Sequence, residues 1–515
     1  MAAIIVYLGA MIFVGYLCSK NNNDSSDFYL GGRKLGPLVT AMSAEASDMS
    51  SWLLMGLPGL AYLTGIADAG WTAIGLAIGT YVNWRIVAKR IRRYTHVAGN
   101  SITLPSFFSN RYRDEKKILQ SIGAIFIVIF FIPYTASGFA ACGKLFASLF
   151  GVKYLPAMII SALVIVGYTT LGGFLAASTT DFIQSIIMSI ALVIVFVFGI
   201  STAGGIEAVA DHARSLLGYL TMFTTYDPTT GTEQAYPLLN IISMLAWGLG
   251  YCGMPHILTR FMAVKSEKEL KKSSAIAIVW DILSLTAACF IGIIGRAYLL
   301  PTVLGENGAS SSESVFIEMI NKLFSSHLGI PFIGGIFLCG ILAAIMSTAD
   351  SQLLVTASAA SEDLYHQFIK KDADSKEILA VARLTVIVVS VLAFVIAWNP
   401  NSSIMGLVSN AWAGFGAAFG PLVVLSLFWK RTNKPGAIAG IVSGGVAVII
   451  WDYIPLMKNA DGTMVTLGTG TGIYSLLVGF FLSLICIVIV SLCTKAPSEE
   501  MQKEFADVAD KSIEL

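Results

Sequence analysis

Residues 43–52 read SAEASDMSSW and residues 247–255 read WGLGYCGMP, and each stretch interrupts a long apolar segment. The first places hydroxyl and carboxyl side chains where a membrane helix should be apolar. The second places three glycines and a proline where an unbroken helix should continue. Two interrupted segments at matching places in two halves of a chain are the sequence pattern of a binding site built on an inverted repeat.

The composition indicates that most of the chain lies in a lipid bilayer. Of its 515 residues, 56% are hydrophobic and only 13% are charged, against roughly 25% charged in soluble globular proteins. The formal net charge of +1 gives no reason to expect a nucleic-acid partner. The seven cysteines and five histidines are scattered, so no metal centre or organic cofactor is predicted. The sequence predicts an all-α polytopic membrane protein.

A membrane span needs about 20 mostly apolar residues, and a scan on this rule predicts thirteen of them. The predicted spans cover residues 3–18, 36–63, 70–88, 118–149, 154–173, 180–203, 236–263, 274–300, 331–361, 378–397, 403–429, 436–455 and 471–493. Lysine and arginine concentrate in alternate loops, which predicts an external N-terminus and a cytoplasmic C-terminus.

The same scan predicts one transmembrane domain over residues 1–495, followed by a cytoplasmic tail over 496–515. Within that domain the predicted parts are a first span and loop (1–35), a first repeat (36–203), a second repeat (236–429) and flanking spans (430–495). The two interrupted spans lie five spans apart, which places one in each repeat.

Asp48 lies about twelve residues into the second predicted span. A charged carboxylate at that depth costs at least roughly 2.5–3.5 kcal/mol unless it is paired or faces a cavity. Its neighbours Ser43, Ser47, Ser50 and Ser51 carry hydroxyls that suit a cation or a polar substrate. The alternative is a carboxylate that caps a broken helix.

The ninth predicted span contains LAAIMSTADSQLL, with Ser347, Thr348, Asp350 and Ser351 near its middle. Positions 347 and 351 are one helical turn apart and share a face. Hard oxygen donors in an apolar wall suit Na⁺ better than soft metals. The alternative is that the hydroxyls bond to their own helix, which leaves Asp350 unexplained. Asp181 opens the sixth predicted span, where a helix N-cap is the alternative to a functional role.

Four aromatic residues and a proline lie near the interruptions: Trp52, Tyr134, Trp247, Tyr251 and Pro255. Beside broken backbone they would line a pocket for an apolar solute. The alternative is that they belong to the interfacial aromatic belt or only pack.

The chain resembles the sodium:solute symporter family over residues 1–495, and within that family the sodium/proline symporters. The resemblance is carried by DFYLGGRKLGP (27–37), ASDMSSWLLMGLPG (46–59), FFIPYTASG around Tyr134, GGFLAASTTD (172–181), WGLGYCGMPHILTRFMA (247–263), GILAAIMSTADSQLL (340–354) and SEDLY (361–365). It implies the five-plus-five inverted-repeat fold of leucine-type transporters with flanking helices, and inward co-transport of proline and Na⁺.

The resemblance also assigns site residues. One Na⁺ would be held by the backbone carbonyls of Ala46, Met49 and Ala344 and by the hydroxyls of Ser347 and Thr348. A second Na⁺, which some members hold, would lie near Asp181, Asp350 and Ser351. Proline would bind among Ser50, Ser51, Trp52, Tyr134, Trp247, Tyr251 and Pro255, and coupling would involve Asp48 and Arg33.

The resemblance leaves the solute open in one respect, because Ser51 stands where a glycine is expected before Trp52. The same fold could carry another small amino acid, a sugar acid or pantothenate, and broken helices also occur in passive ion channels. No catalytic dyad is visible, so an enzyme is not predicted. The sequence does not indicate an oligomeric state.

Overall fold

The computed structural model describes residues 2–19, 29–300, 304, 309–459 and 462–510. The first two residues of the motif at 27–37 and the end of the predicted tail, 511–515, lie outside the described residues. The described chain is mostly helical, as predicted.

Besides a short 3-10 turn at Gly31–Arg33, the described part of the first half of the chain contains helices α1 to α9 and one hairpin. These are α1 (Ala2–Ser19), α2 (Pro37–Asp48), α3 (Trp52–Thr64), α4 (Ile66–Val82), α5 (Ala88–Val97), α6 (Leu104–Arg111), α7 (Ile118–Phe150), α8 (Tyr154–Thr202), α9 (Ile206–Ser215), β1 (Thr224–Asp227) and β2 (Thr232–Ala235). A π-helical segment, Asn83–Val87, joins α4 to α5. The antiparallel hairpin and α9 lie in the long loop predicted between the sixth and seventh spans.

Besides a 3-10 segment at Ala309–Ser314 and a π-helical segment at Asn321–His327, the described part of the second half contains helices α10 to α20 and a second hairpin. These are α10 (Leu238–Gly253), α11 (Pro255–Ala263), α12 (Glu267–Tyr298), α13 (Val315–Ile320), α14 (Pro331–Ile369), α15 (Ser375–Ile396), α16 (Ile404–Phe428), α17 (Lys434–Tyr453), β3 (Pro455–Lys458), β4 (Met464–Thr466), α18 (Leu467–Thr471), α19 (Ser475–Cys493) and α20 (Glu499–Ala509). Most predicted spans from the eighth onward therefore coincide with one helix to within a few residues.

Eight helices in the described part of the chain are long and apolar enough to cross a membrane, or nine if the bent pair α10–α11 is one span. The other predicted spans lie at α1, at the pair α2–α3, at α4 and in the first part of α8. These helices are shorter or broken, so each falls below the length of an unbroken span. The protein is a multi-pass helical membrane protein, and the count of thirteen stays a prediction.

Both predicted interruptions are breaks in helices. At the end of α2, Met49 leaves the helical conformation with φ −77° and ψ 56°, and α3 starts at Trp52. Between α10 and α11 the axis bends by 45°, because Met254 is extended and Pro255 then begins the new helix. The breaks leave backbone groups outside regular helical hydrogen bonding, as ion and substrate sites in membranes require.

The boundary between the fifth and sixth predicted spans lies at a different position from the predicted one. The sequence places a connection at 174–179, whereas the helical geometry is interrupted only at Gly173, whose φ of 67° favours glycine. Asp181 therefore lies inside the second part of α8, eight residues after the break. The N-cap alternative for Asp181 is wrong.

The interrupted helix α2 lies in the centre of the bundle. It packs against α8, α11, α12 and α14, and its residues from Thr40 to Asp48 are all buried. Close packing elsewhere depends on glycine: a methyl group on Gly79 of α4 would collide with the Gly248 backbone of α10. This contact brings α4 against the other interrupted helix.

Candidate functional site

The hydroxyls of Ser347 and Thr348 lie between α14 and the end of α2. Ser347 Oγ donates to the Ala46 carbonyl oxygen at 2.7 Å, and Thr348 Oγ1 is 3.4 Å from the same oxygen. The two hydroxyls are also 3.3 and 3.1 Å from the Ala344 carbonyl oxygen of their own helix. Both sequence interpretations therefore hold: the hydroxyls bond within α14 and also reach across to α2.

Four of the five residues predicted to bind the first Na⁺ thus meet at one place. All four are buried, with Ala46, Ala344 and Ser347 at 0% exposure and Thr348 at 3%. Met49, the fifth, is buried at the break itself. Two hydroxyl and two carbonyl oxygens around one point provide the hard, uncharged donors that suit an alkali cation.

A buried ion pair joins α11 to α8 beside this place. Arg260 Nη2 and Asp181 Oδ2 are 3.0 Å apart, and both side chains have 0% exposure. Ser43 and Ser47 of α2 donate to the same carboxylate oxygen, at 2.7 and 3.1 Å. Three side chains from two further helices therefore stabilise the charged form of Asp181.

The same guanidinium reaches α14. Arg260 Nη2 donates to Ser351 Oγ, and Ser351 Oγ is 3.1 Å from a carboxylate oxygen of Asp350. The structure thus brings Asp181, Asp350 and Ser351 together, as the second-Na⁺ prediction requires, but with a fixed positive charge between Asp181 and Ser351. Repulsion by that charge disfavours Na⁺ there.

The predicted aromatic residues surround the break in α2. The indole N–H of Trp52 donates to the Asp48 carbonyl oxygen at 3.1 Å, and the Tyr134 hydroxyl is 3.4 Å from the same oxygen. The rings of Trp52 and Trp247 have centroids 6.4 Å apart. Ser50 Oγ is 3.4 Å from the Trp52 backbone nitrogen.

Asp48 links the two interrupted helices. The Tyr251 hydroxyl donates to Asp48 Oδ2 at 2.5 Å, and Pro255 begins α11 four residues later. Among the described residues the Asp48 carboxylate bonds only to Tyr251 and not to the backbone at the start of α3, so it does not act as the helix cap that was the alternative interpretation. The Ser51 hydroxyl is buried without a hydrogen-bond partner among the described residues, so it is available to a solute.

Arg33 lies away from this cluster, in a tight loop before α2. Its guanidinium donates to the Met262 and Ser101 carbonyl oxygens and to Asn100 Oδ1. Next to it, Leu35 forms a backbone bridge with Val264. Arg33 therefore ties the segment preceding α2 to the end of α11.

The sequence interpretation missed several residues of the site. Arg260 was one, although a charged residue inside the predicted seventh span is a signal by the rule applied to Asp48. Trp412 and Tyr474 were others, and they carried no such signal: Trp412 donates to the Trp247 carbonyl oxygen at 2.8 Å and Tyr474 stacks on Trp247 at 5.0 Å. Both come from helices far along the chain.

The comparisons with known proteins agree on one family. A family model described as the sodium:solute symporter family matches residues 28–444. The chain is 44% identical over 502 residues to the high-affinity proline transporter PutP of Bacillus subtilis, covering 97% of this chain and 99% of that protein. It is 42% identical over 504 residues to the sodium/proline symporter of Escherichia coli, covering 98% and 94%.

A solved structure supports the fold. The chain resembles a substrate-bound, outward-open Na⁺-coupled sialic acid symporter with a TM-score of 0.77 and 19% identity, covering 97% of this chain and 98% of that one. At this identity the likeness concerns the fold alone.

Proposed function

The chain belongs to the sodium:solute symporter family, and from that premise we propose that it uses the Na⁺ gradient to carry proline into the cell by alternating access. The observation that carries the proposal is the convergence of Ser347 and Thr348 on the Ala46 carbonyl oxygen. This contact joins α14 to the broken helix α2, so an ion bound there can control the spacing of the two helices.

The first Na⁺ would bind to the carbonyl oxygens of Ala46, Met49 and Ala344 and the hydroxyls of Ser347 and Thr348. In the structure the two hydroxyls donate to carbonyl oxygens of this same set. On binding Na⁺ they would turn their lone pairs to the ion, which replaces those hydrogen bonds. Binding would favour the outward-open form, and coupling follows if Na⁺ and proline both prefer one state.

Proline would bind beside the breaks in α2 and α10. Its carboxylate would accept hydrogen bonds from backbone N–H groups at the start of a half-helix, where the helix dipole is positive. Its ring would lie among Trp52, Tyr134, Trp247 and Tyr251, and the free Ser51 hydroxyl would help to orient it. Arg33, through its contacts with Met262 and Ser101, would hold the inner side closed.

The membrane topology follows from the same proposal. The structure has eight helices long enough to span and one bent pair among its described residues. Together with the four shorter or broken segments these would make up thirteen spans, and α2 to the second part of α8 would be repeated as α10 to α16. Loop charge supports an external N-terminus and a cytoplasmic C-terminus in the cell membrane.

The energetics suffice with one Na⁺. One charge that crosses 100 mV releases about 2.3 kcal/mol, and a tenfold Na⁺ gradient adds about 1.4 kcal/mol. Together they support roughly 500-fold accumulation of a neutral solute.

The solute is tested by competition. Uptake of labelled proline by cells that express the protein is expected to fall when excess unlabelled proline is added and to persist with excess sugar acid, pantothenate or other amino acids. The sialic acid symporter with this fold shows why the test is needed, since the fold accepts different solutes. If unlabelled proline does not compete while another solute does, the substrate assignment is overturned. Current without solute would instead indicate a channel.

Tyr251→Phe is expected to raise the proline and Na⁺ concentrations needed for half-maximal uptake by about tenfold. The variant removes the one donor to the buried Asp48 carboxylate among the described residues, and an unsatisfied buried polar group costs about 1–3 kcal/mol. Tyr236→Phe is the matched control, because Tyr236 donates to Asp68 far from the breaks. Equal effects of the two substitutions would show that the Asp48 contact has no special role.

A further inference from the structure

A second acidic residue of α2, Glu45, lies one turn before Asp48 and is only 2% exposed. Its Oε1 accepts a hydrogen bond from the Trp84 indole N–H at 2.7 Å. Its Oε2 is buried without a hydrogen-bond partner among the described residues. Glu45 therefore contacts the α4–α5 junction, whereas the Ala46 carbonyl contacts α14.

A carboxylate from another helix lies near Glu45. Asp281 of α12 has 0% exposure, and neither of its carboxyl oxygens has a hydrogen-bond partner in the described part of the chain. Glu45 interacts electrostatically with Asp281 and with Asp48, and α2 packs directly on α12. Three buried carboxyl groups thus share one region of the membrane core.

No basic side chain among the described residues forms an ion pair with these three carboxyls. Two other buried acids, Asp181 and Glu313, are paired with Arg260 and Lys144 at 3.0 and 2.7 Å. Buried Asp363 has no ion pair among the described residues, but it accepts hydrogen bonds from Thr103 and Gln120. Buried carboxylates without a counter-charge are expensive. A bound cation would neutralise Glu45 and Asp281, which no basic side chain among the described residues does.

Uncharged oxygen donors complete this region from a third helix. The fully buried Thr80 hydroxyl of α4 lies beside the Asp281 carboxyl and interacts with it, although the two groups do not form a hydrogen bond of regular geometry. Asn83, three residues later and on the same helix face, is also fully buried with both side-chain polar atoms unpaired among the residues described. Trp84, the next residue, donates to Glu45.

We propose that Glu45 and Asp281, with the hydroxyl of Thr80 and the side-chain oxygen of Asn83, form a second Na⁺ site. The donor set contains only oxygen and includes carboxylates, which suits a hard cation. It lies on the side of α2 that faces α12 and the α4–α5 junction, away from the first Na⁺ near α14. This inference rests on the proposed function and specifies that two Na⁺ accompany each proline.

The position also explains how such an ion would be coupled to the solute. The Tyr251 hydroxyl, which donates to Asp48, interacts electrostatically with Glu45 and Asp281 as well. A Na⁺ in this region would therefore change the electrostatic potential at the break in α2, beside which proline would bind. With two Na⁺ the attainable accumulation becomes roughly the square of that given by one ion.

The test measures the charge moved per proline in proteoliposomes. The quantity recorded is the reversal potential, which is the membrane potential at which Na⁺-driven proline flux stops. The wild type is expected to move two charges per proline, and the double variant Glu45→Gln/Asp281→Asn only one. Asp452→Asn is the matched control and should keep the wild-type ratio. Asp452 is also a largely buried carboxyl, but its partner is Ser475 in the flanking helices.

One charge per proline in the wild type, or two in the double variant, overturns the inference. The wild-type ratio decides even if the variant does not fold. Repeating the measurement with a pH gradient in place of the Na⁺ gradient identifies the ion, and a second charge carried by H⁺ also contradicts a Na⁺ site. Absence of any Na⁺-dependent proline flux in the wild type would instead refute the proposed function.

Discussion

Arg260→Met is expected to destabilise the protein severely, with loss of most folded material or a large fall in the apparent melting temperature in detergent. The substitution leaves Asp181 charged and fully buried without its counter-ion. Removing one partner of a buried pair costs about 3–5 kcal/mol. This is a large part of the free energy of unfolding of a typical domain, which is about 5–15 kcal/mol. Fluorescence-detected thermal unfolding of the purified protein measures the effect.

The double variant Arg260→Met/Asp181→Asn is expected to regain much of the lost stability, because it removes both charges together. The control is Asp211→Asn, which breaks the pair with Arg214 on the surface, where both side chains are more than two-thirds exposed; such pairs contribute about 0–1 kcal/mol. If the single and double variants at Arg260 are equally unstable, the guanidinium acts through its other contacts and not by neutralising Asp181.

Ser347→Ala is expected to raise the Na⁺ concentration for half-maximal proline uptake by roughly ten- to a hundredfold, while the proline affinity at saturating Na⁺ changes little. The hydroxyl is the one that approaches the Ala46 carbonyl oxygen most closely, at 2.7 Å, and a hydrogen bond or ligand contact to a charged group is worth about 1.5–3 kcal/mol. Thr348→Ala should act in the same direction but less, because its contact is longer.

Thr356→Ala is the control for Ser347→Ala. Thr356 is another buried hydroxyl of α14, and within the described part of the chain it donates only to the Gln352 carbonyl oxygen of its own helix. Uptake by this variant should keep the wild-type Na⁺ dependence. An unchanged Na⁺ dependence in Ser347→Ala would refute the ligand assignment, and a loss of proline affinity at saturating Na⁺ would show that the residue belongs to the solute pocket.

The sequence predicted the helices that are long and uniformly apolar, because hydropathy alone decides them. The fourth predicted span, 118–149, is α7 (Ile118–Phe150), and the eleventh, 403–429, is α16 (Ile404–Phe428). The breaks in the second and seventh spans were also visible, since a polar cluster and a glycine–proline run cannot continue a membrane helix. The break at Gly173 was misplaced, because one residue in an unusual conformation leaves no trace in hydropathy.

Less of the site than of the fold could be predicted from the sequence. Asp48 and Ser347 stand out because polar residues cluster around them. Arg260 and Glu45 lie in the two interrupted spans but were not singled out there, and Asp281 lies in a span without an interruption. Arg260 forms an ion pair, whereas Glu45 and Asp281 form none among the described residues. This difference depends on how helices far apart in the chain pack, which only the structure shows.

The most direct test of sodium-driven proline transport is uptake of labelled proline into proteoliposomes that contain the purified protein. With an inward Na⁺ gradient and a negative interior, proline is predicted to accumulate above its external concentration and to leak out again when the Na⁺ gradient is collapsed. With K⁺ in place of Na⁺, it should not rise above the external level. Equal uptake with and without the Na⁺ gradient, or none in either case, would contradict the account.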